Sequence, residues 1–177
     1  MNSQDFKGSQ AAESTVQNSD ALYSDFLELP LGLSGYFDFE QAKAAALKAN
    51  KPLFIDFTGH GCVNCRKMEE YVWSDPAVLQ RLKQDYVVVA LYCDDKTELP
   101  AEKWYTSKVD GQEKKTLGDQ NLDFQISRFN SNAQPHYVLL DPRKDDKPMV
   151  QPVAFDANVS HFVSFLDEGK SIYQSAK

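Results

Sequence analysis

The sequence predicts an α/β domain in which a central mixed sheet is flanked by helices, and three observations carry that prediction. Two short, β-prone apolar runs, PLFIDFT at 52–58 and YVVVALYC at 86–93, are separated by a longer stretch with helical spacing. A third run, HYVLLD at 136–141, is followed by a polar turn and another extended segment, MVQPVAF at 149–155, in place of a helix. Helical patterns precede the first strand and follow the last. Early alternation and a late hairpin imply a sheet that is parallel in one part and antiparallel in another.

The elements follow in order. Residues 1–21 are rich in Ser, Gln, Asn, Asp and Glu with no apolar period, and are expected to form a disordered tail or linker, leaving 22–177 as the domain. LELPLGLSGYF, with Pro30, Gly32 and Gly35, predicts extended structure broken by turns and packed on the domain edge. Asp38 and Gln41 have capping-box spacing, and FEQAKAAALKAN supplies helix formers as far as Asn50. PLFIDFT reads as a strand covered on both faces, with Asp56 its polar misfit. CVNCRKMEEYVW sets Cys65, Met68, Glu69 and Val72 at helical spacing, and SDPAVLQRLKQ resumes after Pro76, so one kinked helix is expected.

YVVVALYC is the second buried strand. The polar stretch after Cys93 is too long for a simple connector and is expected to be an insertion or lid near 96–118. GDQNLDFQISRFN predicts an amphipathic helix with Leu122, Ile126 and Phe129 on its apolar side. HYVLLD and MVQPVAF are expected to pair across DPRKDDKP. A closing helix over 158–170 presents Phe162, Val163, Phe165 and Leu166.

Composition narrows the function. The 177 residues, 42% hydrophobic and 12% aromatic, suit one globular domain. A net charge of -7 repels phosphate backbones, so no nucleic-acid partner is expected. The longest apolar run, YVVVALYC, is far shorter than the roughly 20 residues of a membrane-crossing helix, so the domain is not expected to span a membrane. The opening MNSQDFKGSQAAES lacks the features of a secretory signal and names no compartment. Three cysteines are too few for a multi-bridge scaffold and leave a pair with a spare.

The pair sits in FTGHGCVNCRKMEE, where a buried strand runs through a loop into a helix beginning at Cys62. A sulfur at a helix start is stabilised as thiolate by free amides and the macrodipole. Cys65, one turn along, is near enough to close a ring with it, the geometry of a two-electron dithiol switch. Two other chemistries use this spacing. A zinc site needs four ligands, and only Cys93, His60, His136 and His161 remain to complete one. A passive pair of core thiols fits poorly with the loop residues Gly59, His60, Gly61 and Asn64 around it. His60 is either a cation beside Cys62 or a solvated loop residue, and Cys93 reads as a small core residue near a strand end.

Strand, C-x-x-C, kinked helix and a later proline opening a strand resemble the thioredoxin pattern over about 35–169. CVNC followed by RKMEEYVWSDPAV resembles the C-terminal periplasmic domain of the DsbD family of transmembrane thiol:disulfide interchange reductases. That resemblance implies an exposed nucleophile at Cys62 and a resolving thiol at Cys65. It also implies proton-tuning carboxylates at Asp56 and Glu69, and a cis-proline loop for partner binding at Gln134 and Pro135. Read without it, Asp56 is a side chain reaching a polar edge, Glu69 a solvated helix charge and Pro135 a trans turn residue. Gly61 stands where relatives carry Trp, and Asn64 replaces a smaller residue. The implied partners are a transmembrane electron-donor domain and oxidised periplasmic thiol proteins. The implied location is the periplasm, as part of or excised from an inner-membrane protein, and no metal or organic cofactor is implied. A free-standing secreted or lipid-anchored thioredoxin-like oxidoreductase and a binding module with a structural metal are the alternatives.

Overall fold

The chain enters through a clasp. The computed structural model describes residues 20–144 and 147–176, so the expected tail lies outside them as far as position 19. Ala21 is buried, and Gln41 holds this entry, its Nε2 donating to the Asp20 carbonyl at 2.7 Å and its Oε1 accepting from the Leu22 N–H at 2.9 Å. The expected capping box is therefore half formed. Asp38 Oδ2 accepts from the Gln41 N–H at 2.9 Å and starts α1 (Phe39–Ala49), while the Gln41 side chain serves the entering segment. Ala42 and Ala46 are fully buried, and Asn50 ends the helix in the left-handed region at φ 53°.

Every residue of β1 (Leu53–Thr58) is buried, as its apolar run demands. It lies between β2 (Val87–Tyr92), parallel, with Leu53 opposite Val87, and β5 (His136–Leu140), antiparallel, with Phe57 opposite His136. Tyr36 adds a parallel bridge to Val89 on one edge, and Val153 and Pro148 bridge to Tyr137 and Leu140 on the other. The expected pairing of MVQPVAF exists, with Tyr137 N–H donating to the Val153 carbonyl at 2.8 Å, but it is intermittent. Pro148 and Pro152 have no N–H to donate, so no continuous strand forms there.

The single kinked helix expected after the cysteines is divided. α2 (Val63–Met68) widens into a π turn over Glu69–Trp73, and α3 (Pro76–Asp85) starts afresh. The residue before a proline is pushed out of helical space, and Asp75 is extended at ψ 130°, its carboxylate capping the Ala77 N–H at 2.9 Å. Strand alternation sends Leu53, Ile55 and Phe57 under α1 and α4 (Leu117–Phe129). Phe54, Tyr137 and Leu139 face the opposite way, toward Trp73, Leu82, Phe162 and Leu166 on the π turn, α3 and α5 (Val159–Ser175). Trp73 meets Phe54 edge to face at 5.6 Å in this second layer.

The buried stripe of α4 differs from the expected apolar side. Leu122, Ile126 and Phe129 are half-buried, whereas Leu117, Gly118, Asn121 and Gln125 are buried. The reason is what the helix start meets: a Cβ on Gly118 would stand 2.5 Å from the Asp95 carbonyl oxygen, and Asn121 Nδ2 donates to the Tyr92 carbonyl at 3.0 Å. Polar side chains here satisfy backbone at the end of β2. The polar stretch before α4 is folded, with Leu99 buried under Trp104, whose Nε1 donates to the Leu99 carbonyl at 2.7 Å. A short hairpin pairs β3 (Tyr105–Thr106) with β4 (Glu113–Lys114).

Candidate active site

β1 delivers the chain to the loop 59–61, and α2 opens at Cys62, which is its N-cap. Cys62 and Cys65 form a disulfide, with their Cα atoms 5.2 Å apart, and Cys62 Sγ accepts from the Cys65 N–H at 3.1 Å. Cys65 is 2% exposed, while Cys62 is half-exposed beside Val63, which is 66% exposed. An incoming sulfur can therefore reach Cys62 and not Cys65. The amide that Cys62 accepts from stabilises a thiolate there when the bridge is open.

Asp94 shapes the approach to Cys62. Its carboxylate oxygens accept from the N–H groups of His60 at 2.7 Å and Gly61 at 2.9 Å. Desolvation pushes the Asp94 carboxyl up, but these two bonds and the His60 charge outweigh it and hold it below the usual carboxylate range. The His60 ring stacks on Tyr92 at 4.4 Å, and its Nε2 lies 2.7 Å from Asp95 Oδ2. His60 is thus engaged with β2 and the residues after it, neither freely solvated nor a dedicated partner of Cys62.

On one side of the sheet lie the carboxylates. Asp56 shares a face with Phe54, sits between Ala90 and Tyr137 in the strand register and is 4% exposed; its Oδ1 makes no hydrogen bond among the described residues. Burial first, and the Glu69 charge second, raise its pKa well above the ordinary value, with Arg66 opposing. Glu69 is buried in the π turn, not a solvated helix charge, and burial raises its carboxyl too, against the pull of Arg66. Arg66 Nε stands 2.9 Å from Glu69 Oε2, and its Nη2 donates to Thr58 Oγ1 at 2.9 Å and to the Gly59 carbonyl at 3.3 Å. Arg66 so ties the end of β1 to the helix that carries both sulfurs. Sequence reasoning passed over it, although RKME sets Arg and Glu at the i,i+3 spacing of a helical ion pair.

On the other side lie amides. The Gln134–Pro135 peptide is cis, Pro135 is buried and Gln134 half-buried. Cys62, Asn64, Cys93, Asp94, Asn132 and Gln134 line one open groove of about 530 Å³. Cys93 is half-buried at its wall and so is not a plain core residue. Burial, then the charges of Asp56 and Asp94, push its thiol up to about 12, so it stays protonated near neutral pH. Gln125 and Asp94 were also missed; the signal for Gln125 was the Asn121, Gln125 pair at i,i+4 on a helix otherwise read by its apolar residues. Among the described residues no group of three or more His, Cys, Asp or Glu side chains is placed to hold a metal ion.

Residues 35–142, more than half of the chain, match the thioredoxin-like family. The chain belongs to the thioredoxin-like family. Within that family it is similar to the thiol:disulfide interchange protein DsbD of Vibrio vulnificus, 43% identical over 47 residues, which are 27% of this chain and 8% of that protein. DsbD of Campylobacter jejuni is 35% identical over 52 residues, 29% of this chain and 9% of its own length. The matched part is thus less than a tenth of either curated relative. A solved DsbH oxidoreductase superposes with a TM-score of 0.56 at 15% identity, covering 82% of this chain and 91% of that one. A thioredoxin from Thermus thermophilus gives 0.53 at 19% identity, covering 76% and 85%. These structural likenesses bear on the thioredoxin-like fold, which matches the expected mixed sheet between helices. No helix among the described residues is long and apolar enough to cross a membrane.

Proposed function

We propose that this thioredoxin-like domain is a protein-disulfide reductase module that takes electrons from a transmembrane donor domain and passes them to oxidised periplasmic thiol proteins. The observation that carries the reading is the asymmetry of the Cys62–Cys65 disulfide, one sulfur open to a groove and the other 2% exposed at the head of α2. The similarity to DsbD supports the membrane donor and the periplasmic setting.

In the dithiol form the Cys62 thiolate attacks one sulfur of the partner's disulfide. A mixed disulfide forms and the partner's other sulfur leaves as thiolate. Cys65, deprotonated in turn, attacks Cys62 Sγ, expels the second partner thiolate and restores the Cys62–Cys65 bond. Two electrons pass to the partner, and two protons complete its thiols. Asp56 and Glu69, both carboxyls that burial makes readier to hold a proton, are suited to take the proton of Cys65 and to disfavour a second negative charge beside the first. A donor dithiol returns the electrons by the same exchange in reverse. Gln134 lines the groove with Cys62, and its cis peptide bond to the buried Pro135 supports a reading in which a partner segment lies in that groove alongside Cys62.

The deciding experiment is a redox titration of the purified domain, followed by alkylation and mass analysis. Reversible passage between bridged and open Cys62–Cys65 is expected, at a potential below that of the disulfides it reduces. A bridge that never opens under reductant rejects the reading. A membrane donor is tested separately by trapping a Cys65→Ser variant as a mixed disulfide in membranes: a membrane-embedded partner bound through Cys62 is expected, and its absence rejects the membrane donor.

A further inference from the structure

Gln125 is a polar side chain with 0% exposure on α4, a costly place for a carboxamide unless every polar atom is matched. All are. Its Nε2 donates to the Ala133 carbonyl at 2.7 Å and lies 3.2 Å from His136 Nδ1. Its Oε1 accepts from Gln134 Nε2 at 2.8 Å and from the Cys93 thiol at 3.7 Å. With Oε1 serving Gln134, the amide nitrogen faces His136, so His136 Nδ1 is the acceptor and its imidazole is neutral. Three of the four partners belong to 133–136, and they flank the cis Gln134–Pro135 peptide on both sides.

We propose that Gln125 is a positioning residue that holds the partner-binding loop in register with Cys62, its one carboxamide pinning the backbone before Pro135, the side chain of Gln134 and the ring of His136. The proposal rests on the disulfide-exchange reading above. Gln125 does not line the groove itself; Gln134 does, together with Cys62 and Asn132. α4 is itself fixed by the close approach of Gly118 to Asp95, so Gln125 transmits the position of β2 and the chain after it to the loop opposite the disulfide. A protein partner must lay backbone against that loop while its sulfur meets Cys62. A small disulfide needs Cys62 alone.

The test compares two probes on the same reduced protein: insulin, whose disulfides sit in folded chain, and 5,5′-dithiobis(2-nitrobenzoate), a small aromatic disulfide. In Gln125→Leu, assayed below its unfolding temperature, kcat/KM for insulin is expected to fall by about 10- to 100-fold, chiefly through KM, the penalty of a reacting group misplaced by roughly 1 Å. The ratio of insulin rate to small-disulfide rate is expected to fall by at least about tenfold with it. Gln125→Glu, similar in size, keeps the acceptor for Gln134 but loses both donated bonds; it is expected to fall in the same direction by a smaller factor, and it decides the matter if the leucine variant does not fold. Proportional losses with both probes, or an unchanged insulin KM in both variants, overturn the proposal. A wild-type protein inert toward both probes instead rejects the underlying redox reading, and a wild-type protein active with both isolates any failure to Gln125.

Discussion

Asp56 and Gln125 are both buried polar side chains at the same end of one sheet, on opposite faces, and they are treated in opposite ways. Asp56 has an oxygen with no hydrogen-bond partner among the described residues, whereas each polar atom of Gln125 is matched. An unmatched buried carboxyl costs stability when charged and so tends to hold a proton it can give up. A fully matched carboxamide does the reverse, locking the segments it joins. On the proposed reading, the domain has a proton reservoir on the α2 side of its disulfide and a rigid brace on the α4 side.

The comparison presupposes that both faces serve the two sulfurs, and the largest expected effect tests that. Cys62→Ser is expected to reduce disulfide reduction to the uncatalysed background, while Cys65→Ser accumulates mixed disulfides visible by non-reducing electrophoresis. Equal residual activity in the two variants removes the distinction between an attacking and a resolving sulfur.

Next comes a difference in the sign of stability. Gln125→Leu removes the partner of the Ala133 carbonyl and of His136 Nδ1, leaves Gln134 Nε2 with only its bond to the Asn132 carbonyl, and is expected to cost about 2–4 kcal/mol in denaturant melts. Asp56→Asn is expected to stabilise by about 1–3 kcal/mol near neutral pH. The sign follows from the raised pKa. Below the ordinary 3.8 the carboxyl is neutral in both the folded and unfolded states; as pH rises, the unfolded chain ionises first and folded stability drops until pH passes the folded value. The gain from Asn is therefore absent in acid and grows as pH rises. A pH-independent gain, or a loss, shows that Asp56 is not held as a strained acid.

The smallest effect concerns Glu69. Glu69→Gln removes a negative charge near the disulfide and is expected to move the pH profile of Cys62 alkylation down by roughly half a unit. No movement means that the Arg66 ion pair already screens Glu69 from the sulfurs.

How much of this was legible varies with how local each feature is. β1 and β2 were readable because a strand covered on both faces must be apolar throughout, and Asp56 stood out for the same reason. The division at Asp75 was half legible: proline signals a break, but the π turn that buries Glu69 depends on what α2 packs against. The broken pairing after β5 was written in Pro148 and Pro152, which the apolar pattern of MVQPVAF outweighed in the reading. The polar stripe of α4 was not legible, since helical periodicity ranks residues by hydrophobicity while the strand end it covers needed donors.

By its order of residues alone, the chain determined which segments are strands and helices, that two sulfurs stand one turn apart at a helix start, and that an acid lies in the strand before them. Those are properties of neighbours within a few positions. Only the tertiary structure decided that Arg66 bridges the end of β1 to Glu69, that Asp94 holds the loop before Cys62, and that Gln125 clasps 133–136. Each of those joins elements whose approach is set by packing across the sheet, and a hydrogen bond's direction and reach cannot be read until the two backbones are placed.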